Sequence, residues 1–223
     1  MTGAHRAHRQ QNLLTMQQRM TFWYLLGSEL SRAVGRTFFR YRVIGGENTI
    51  EEGPVILAAN HASFLDPPLV GVAFRRPVHY LARKSLLEWP VLGPILPELG
   101  VIPVDQKNAD RSALMSSIRV VRGGGAILVF PEGTRTLDGK LQPAQPGIGM
   151  IVAKTGAPVV PLRIFGTFEA FPRDRAAPRL VPITVVVGKP LRFSPEETAD
   201  RAAYQKIGDS IMDAVAGLMV RQN

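Results

Sequence analysis

A chain of 223 residues with 45% hydrophobic content can bury one sizeable core and is short for two. It has no cysteine, which excludes a disulfide scaffold, a thiolate metal site and a cysteine nucleophile, and its four histidines show no metal-ligand spacing, so no metal is expected. The net charge of +9 is uneven: residues 1–42 carry seven Arg against Glu29 alone, giving +6, and the other 181 residues supply +3. A basic head on an otherwise balanced domain suits an anionic membrane surface or another polyanion better than a nucleic-acid groove, which would spread Lys and Arg through the fold.

The opening MTGAHRAHRQQ lacks the apolar stretch that follows the charges of a secretory signal. No run of about eighteen apolar residues occurs, so membrane contact is expected to be peripheral. From Thr21 to Tyr41 the residues Phe22, Trp23, Leu26, Leu30, Ala33, Val34, Phe38 and Tyr41 fall on one arc of a helix, with Ser28, Ser31, Arg32, Gly35 and Arg36 opposite. Two readings share this period: an amphipathic helix lying in a lipid interface, and a helix packing its arc on the domain's own core. Residues 1–42 are accordingly read as a membrane-associating segment and 43–223 as one α/β domain.

Beyond this helix, short apolar runs alternate with helical stretches. Pro54–Ala59, Val78–Ala82, Val101–Val104, Ala126–Phe130, Val159–Ile164 and Ile183–Val187 read as strands, several apolar on both faces and so central. Asp66–Phe74, Ala109–Val121 and Ile148–Thr155 read as helices. The alternation predicts a mainly parallel central sheet covered by helices. Arg163–Leu180, with its Pro and Arg residues, reads as a long surface loop. A last helix is expected over Pro195–Val220, with Ser194 as N-cap, Pro195 at the first position and Glu197 three residues after the cap.

Two segments carry chemistry, each directly after an apolar strand, where open α/β sheets bind their ligands. In Asn60-His61-Ala62-Ser63-Phe64-Leu65-Asp66, His61 can take a proton from a hydroxyl, and Asp66, five residues on across a tight turn, can fix its tautomer. In Phe130-Pro131-Glu132-Gly133-Thr134-Arg135, Gly133 lets backbone approach a ligand and Arg135 offers a forked donor to phosphate oxygens. Glu132 could orient that guanidinium or bind a substrate hydroxyl. Taken singly, the first segment also reads as a capped turn and the second as a surface ion pair.

Jointly, the two segments resemble the glycerolipid acyltransferase family over about residues 40 to 190. The resemblance implies His61 as general base with Asp66 as its partner, and Glu132, Gly133, Thr134 and Arg135 as contacts to a glycerol phosphate. Gly100-Val101-Ile102-Pro103-Val104-Asp105 is similar to a second family block, and Ala157-Pro158-Val159-Val160-Pro161-Leu162 to a fourth. Two positions depart from the pattern. Gln106 stands where Arg often follows the Asp, passing that contact to Lys107 or Arg111, and Gln145-Pro146-Gly147 replaces a Lys upstream of the Gly.

The resemblance also implies the reaction: an acyl group moves from acyl-CoA or acyl-carrier protein to lysophosphatidic acid, without a cofactor, at the cytoplasmic face of the cell membrane. Lyso-ornithine lipid, another lysophospholipid and glycerol-3-phosphate stay open as acceptors. A hydrolase triad built on Ser63 is a second reading, though no G-x-S-x-G elbow is present. A third is a basic protein that binds lipid or nucleic acid without turnover.

Overall fold

The computed structural model describes residues 21–90, 93–104, 109–194 and 200–220. Among these, the first helix, α1, runs Phe22–Phe39; the side chain of Thr21 accepts the Tyr24 amide, and Arg40 ends the helix at φ 45°. Strand β1 is Arg42–Ile44, β2 Val55–Ala59, β3 Val78–Arg83, β4 Val101–Val104, β5 Ala126–Val129, β6 Val159–Phe165 and β7 Thr184–Val187. The remaining helices are α2 (Asp66–Gly71), α3 (Ala109–Arg122), α4 (Pro146–Thr155), the short α5 (Thr167–Ala170) and α6 (Arg201–Ala216).

The seven strands form one sheet in the order β1-β7-β6-β2-β5-β3-β4. All pairs are parallel except β6 with β7. Six strands lie where the apolar runs predict them. β1 is the strand that the sequence reading lacks, because its Arg-Val-Ile is too short for a period.

β2 is buried at all five positions, as a strand covered on both faces must be. Its period of two divides the core: Val55, Leu57 and Ala59 pack with Phe39, Leu69 and Val70 from α1 and α2, while Ile56 and Ala58 pack with Ile118, Ile148, Ile151 and Ile211 from α3, α4 and α6. Helices α4 and α6 cross at Gly149, where an added Cβ would stand 1.9 Å from the Tyr204 carbonyl oxygen.

Two expectations are corrected, and one of the two readings of α1 falls. The last helix begins at Arg201, with Asp200 as N-cap accepting the Ala203 amide at 2.8 Å, not with Ser194 as cap; residues 195–199 lie outside the described residues. Arg163–Leu180 is not all loop, since β6 runs to Phe165 and α5 follows. The arc of α1 does not pack on the core. Tyr24, Gly35 and Phe39 face inward, with Ser28, Ser31 and Arg32 half-buried beside them, whereas Phe22, Trp23, Leu26, Leu30, Val34 and Phe38 are exposed. Tyr41 leaves the arc as well, and its hydroxyl donates to the Leu69 carbonyl at 2.7 Å.

At the end of β2 the main-chain ladder with β6 stops at Ala59 opposite Leu162. Asn60 continues it with its side chain: Nδ2 donates to the Ile164 carbonyl at 3.1 Å, and Oδ1 accepts the Ile164 amide at 2.7 Å. The amide imitates a strand neighbour, which frees the backbone after it to turn away from the sheet.

Candidate active site

β2 and β5 are adjacent and parallel, with Ala58 opposite Val129, so the segments that follow them emerge side by side. Register offset then does the rest. The paired residues differ by 71 in number, and the same difference carried past the strand ends joins His61 to Glu132, whose Oε1 accepts the His61 amide at 3.1 Å. On the other side of the same residue the Thr136 amide donates to the His61 carbonyl at 2.9 Å. The backbone of His61 is therefore held at both its polar groups by the segment after β5.

The side chain is held as firmly. His61 Nδ1 is 2.8 Å from Asp66 Oδ2, and the same oxygen accepts the amides of Ala62 at 2.6 Å and Ser63 at 2.7 Å. An oxygen accepting two amides is an acceptor toward the ring also, so Nδ1 carries the hydrogen and Nε2 the lone pair. Asp66 is completely buried at the start of α2. One face of the imidazole lies on Phe130, with ring centroids 3.8 Å apart and planes 11° from parallel. Phe130 also lines a mainly apolar cavity of about 400 Å³, with Leu81, Leu114, Val129, Ile148 and Ile151 among its walls.

Glu132 is 3% exposed. Burial pushes its carboxyl up to about 7, with the Asp66 charge adding to the effect and the His61 and Gln142 amides opposing it. Its observed role is thus toward the His61 backbone, a position that neither sequence reading of Glu132 supplies. Gly133 turns the chain at φ 72°, and both Gly133 and Thr134 are exposed. Arg135 is half-buried, with its guanidinium carbon 3.6 Å from the centroid of the Phe64 ring. Lys107 and Gln106 lie outside the described residues, and Arg111 is exposed near the start of α3.

Ser63 is occupied otherwise. Its hydroxyl donates to the Phe171 carbonyl at 2.7 Å and accepts the Leu65 amide at 3.1 Å, and the residue is completely buried. It shapes the turn, as a short-range backbone-bonding serine does. Sequence reasoning missed Asn60, Phe64, Phe130 and Thr136; Asn60 alone left a signal, an amide side chain placed directly at a strand end. Among the described residues no group of three or more His, Cys, Asp or Glu is placed to hold a metal ion.

The acyltransferase family model matches residues 40–165, which contain His61, Asp66, Phe130, Glu132 and Arg135. The chain belongs to that family. It is 29% identical over 178 residues to a chloroplastic 1-acyl-sn-glycerol-3-phosphate acyltransferase of Brassica napus, covering 78% of this chain and 52% of that protein. With 1-acyl-sn-glycerol-3-phosphate acyltransferases of Borreliella burgdorferi and Bacillus subtilis the identities are 33% over 131 residues (58% of this chain, 52% of the relative) and 27% over 154 (67% and 73%). The chain thus spans about half the length of several curated relatives it matches. The crystal structure of the 1-acyl-sn-glycerophosphate acyltransferase PlsC from Thermotoga maritima is similar at TM-score 0.69 and 25% identity, covering 99% of this chain and 85% of that one.

Proposed function

We propose that this protein transfers a fatty acyl group from acyl-CoA or acyl-carrier protein to the sn-2 hydroxyl of 1-acylglycerol-3-phosphate, forming phosphatidic acid. The observation that carries the reading is the His61–Asp66 pair, 2.8 Å apart and clamped through the His61 backbone by the segment that ends in Arg135. Nε2 accepts the proton of the acceptor hydroxyl as its oxygen attacks the thioester carbonyl carbon. The carbon–sulfur bond breaks as the tetrahedral intermediate collapses, and the proton passes from His61 to the departing thiolate. Arg135 contacts the phosphate, so that the hydroxyl is aligned before attack, and Lys107, outside the described residues, is the second cation assigned to it from the sequence. The relatives and the solved neighbour are named for this acceptor, which supports the assignment of the head group.

Two further parts of the reading follow from exposure and charge. Among the described residues no helix is long and apolar enough to cross a membrane. The exposed arc of α1, with Phe22 at 71% and Leu30 at 63% exposure, is the face that enters the acyl region of an anionic bilayer, while Arg36 and Arg40 stay at head-group level. Residues 1–42 are thus the membrane-associating part of a peripheral protein on the cytoplasmic face, and 43–223 the catalytic domain. The apolar cavity beside Phe130 is suited to an acyl chain of either substrate.

The test is an assay of purified protein with each donor against lysophosphatidic acid, another lysophospholipid, lyso-ornithine lipid and glycerol-3-phosphate. Highest kcat/KM with lysophosphatidic acid is expected. Preference for another acceptor would overturn the head-group assignment.

A further inference from the structure

Phe64 is an aromatic residue that the fold does not use. It is 57% exposed and belongs to neither buried cluster. The turn that carries it, from His61 to Asp66, is pinned by three bonds to Asp66 Oδ2 and by Ser63 Oγ on both sides. A single exposed aromatic ring is ordinary, so what this ring touches is the informative observation. What lies on it is the guanidinium of Arg135, its carbon 3.6 Å from the ring centroid, with Phe171 behind at 6.3 Å and 46°.

We propose that Phe64 is a positioning residue for acceptor binding: its ring face helps to hold the Arg135 guanidinium beside the His61–Asp66 pair. The proposal rests on Arg135 being the phosphate contact. At 3.6 Å the guanidinium carbon is in contact with the ring face, as a cation over an aromatic ring is favoured to be. Such a contact holds the cation through the ring face and not through a hydrogen bond to the ring edge. A guanidinium that has given up part of its rotational freedom to the ring gives up less when the lipid arrives. The consequence falls on acceptor affinity, since the ring acts through Arg135.

The experiment measures KM for lysophosphatidic acid, KM for acyl-CoA and kcat for the full chain and for Phe64→Ala, Phe64→Leu, Phe64→Trp and Arg135→Lys, with the double variant Phe64→Ala/Arg135→Lys and melting curves for each. Phe64→Ala and Phe64→Leu are expected to raise KM for lysophosphatidic acid by roughly two- to fivefold, the range of an exposed cation–ring contact, with kcat and the donor KM little changed. Phe64→Trp is expected to restore it, and the Ala effect to shrink in the Arg135→Lys background. If Phe64→Leu behaves like the parent chain, the ring serves only as apolar surface and the proposal fails. If Arg135→Lys raises the acceptor KM while Phe64→Ala does not, or if the two changes are additive, the proposal fails and the phosphate reading stands. If the parent chain does not turn over lysophosphatidic acid, the phosphate reading falls and the proposal with it.

Discussion

Glu132 couples the two segments of the site, and its protonation makes that coupling sensitive to pH. The folded protein holds the proton up to about 7, against an ordinary value of 4.5, so the neutral form is the one the fold favours. A raised carboxyl contributes stability that is complete below its ordinary value and is lost as pH rises through the folded value. The melting temperature should therefore decline between about pH 5 and about pH 8, and Glu132→Gln should flatten that decline while still accepting the His61 amide. A decline of equal steepness in Glu132→Gln would assign the dependence to another group. At Arg135, replacement by Lys puts a point charge where a fork stood. The KM for lysophosphatidic acid is expected to rise more than that for the acyl donor, and the reverse order would put Arg135 at the donor.

At the scale of elements, α1 shows how far periodicity reaches. The apolar arc is plain in the sequence, but period alone is silent on which way it turns, and the inward face proved to be the one that carries Tyr24, Gly35 and Phe39, with Gly35 against Leu69 of α2 and the Tyr24 hydroxyl accepting the Val78 amide of β3. Removing residues 1–42 would therefore strip buried Tyr24 and Phe39 from the core as well as the exposed face. A cleaner change is Phe22→Ser, Leu26→Gln and Leu30→Gln together, all on exposed positions. These should leave the melting temperature near that of the parent and weaken sedimentation with anionic vesicles, since each apolar side chain withdrawn from lipid forfeits about 1.5–3 kcal/mol. Unchanged sedimentation at moderate salt would move the anchor elsewhere. The buried strands were legible because they are apolar on both faces, and His61 and Asp66 because their spacing closes a turn. The Glu132 contact was not, since it follows from the register of β2 against β5, which no local pattern encodes. The Asp200 cap was missed because Ser194 offers the same signal six residues earlier.

Across the whole molecule, the proposed site residues among the described ones gather at the C-terminal ends of the adjacent central strands β2 and β5. Ser63, the hydroxyl nearest the pair in sequence, has its hydrogen committed to the Phe171 carbonyl. A thioester is already activated, so a covalent intermediate would add a step without lowering an evident barrier. Incubation with acyl donor alone should leave the intact mass unchanged, and initial rates with both substrates varied should follow a sequential pattern. Stoichiometric acylation with parallel-line kinetics would replace direct transfer by the triad. The central claim, that His61 is the base for acyl transfer to lysophosphatidic acid, is tested most directly by phosphatidic acid formation in the parent chain and in folded His61→Ala. A loss of about 100- to 10,000-fold with an unchanged melting temperature is predicted; near-parental turnover by the folded variant would contradict it.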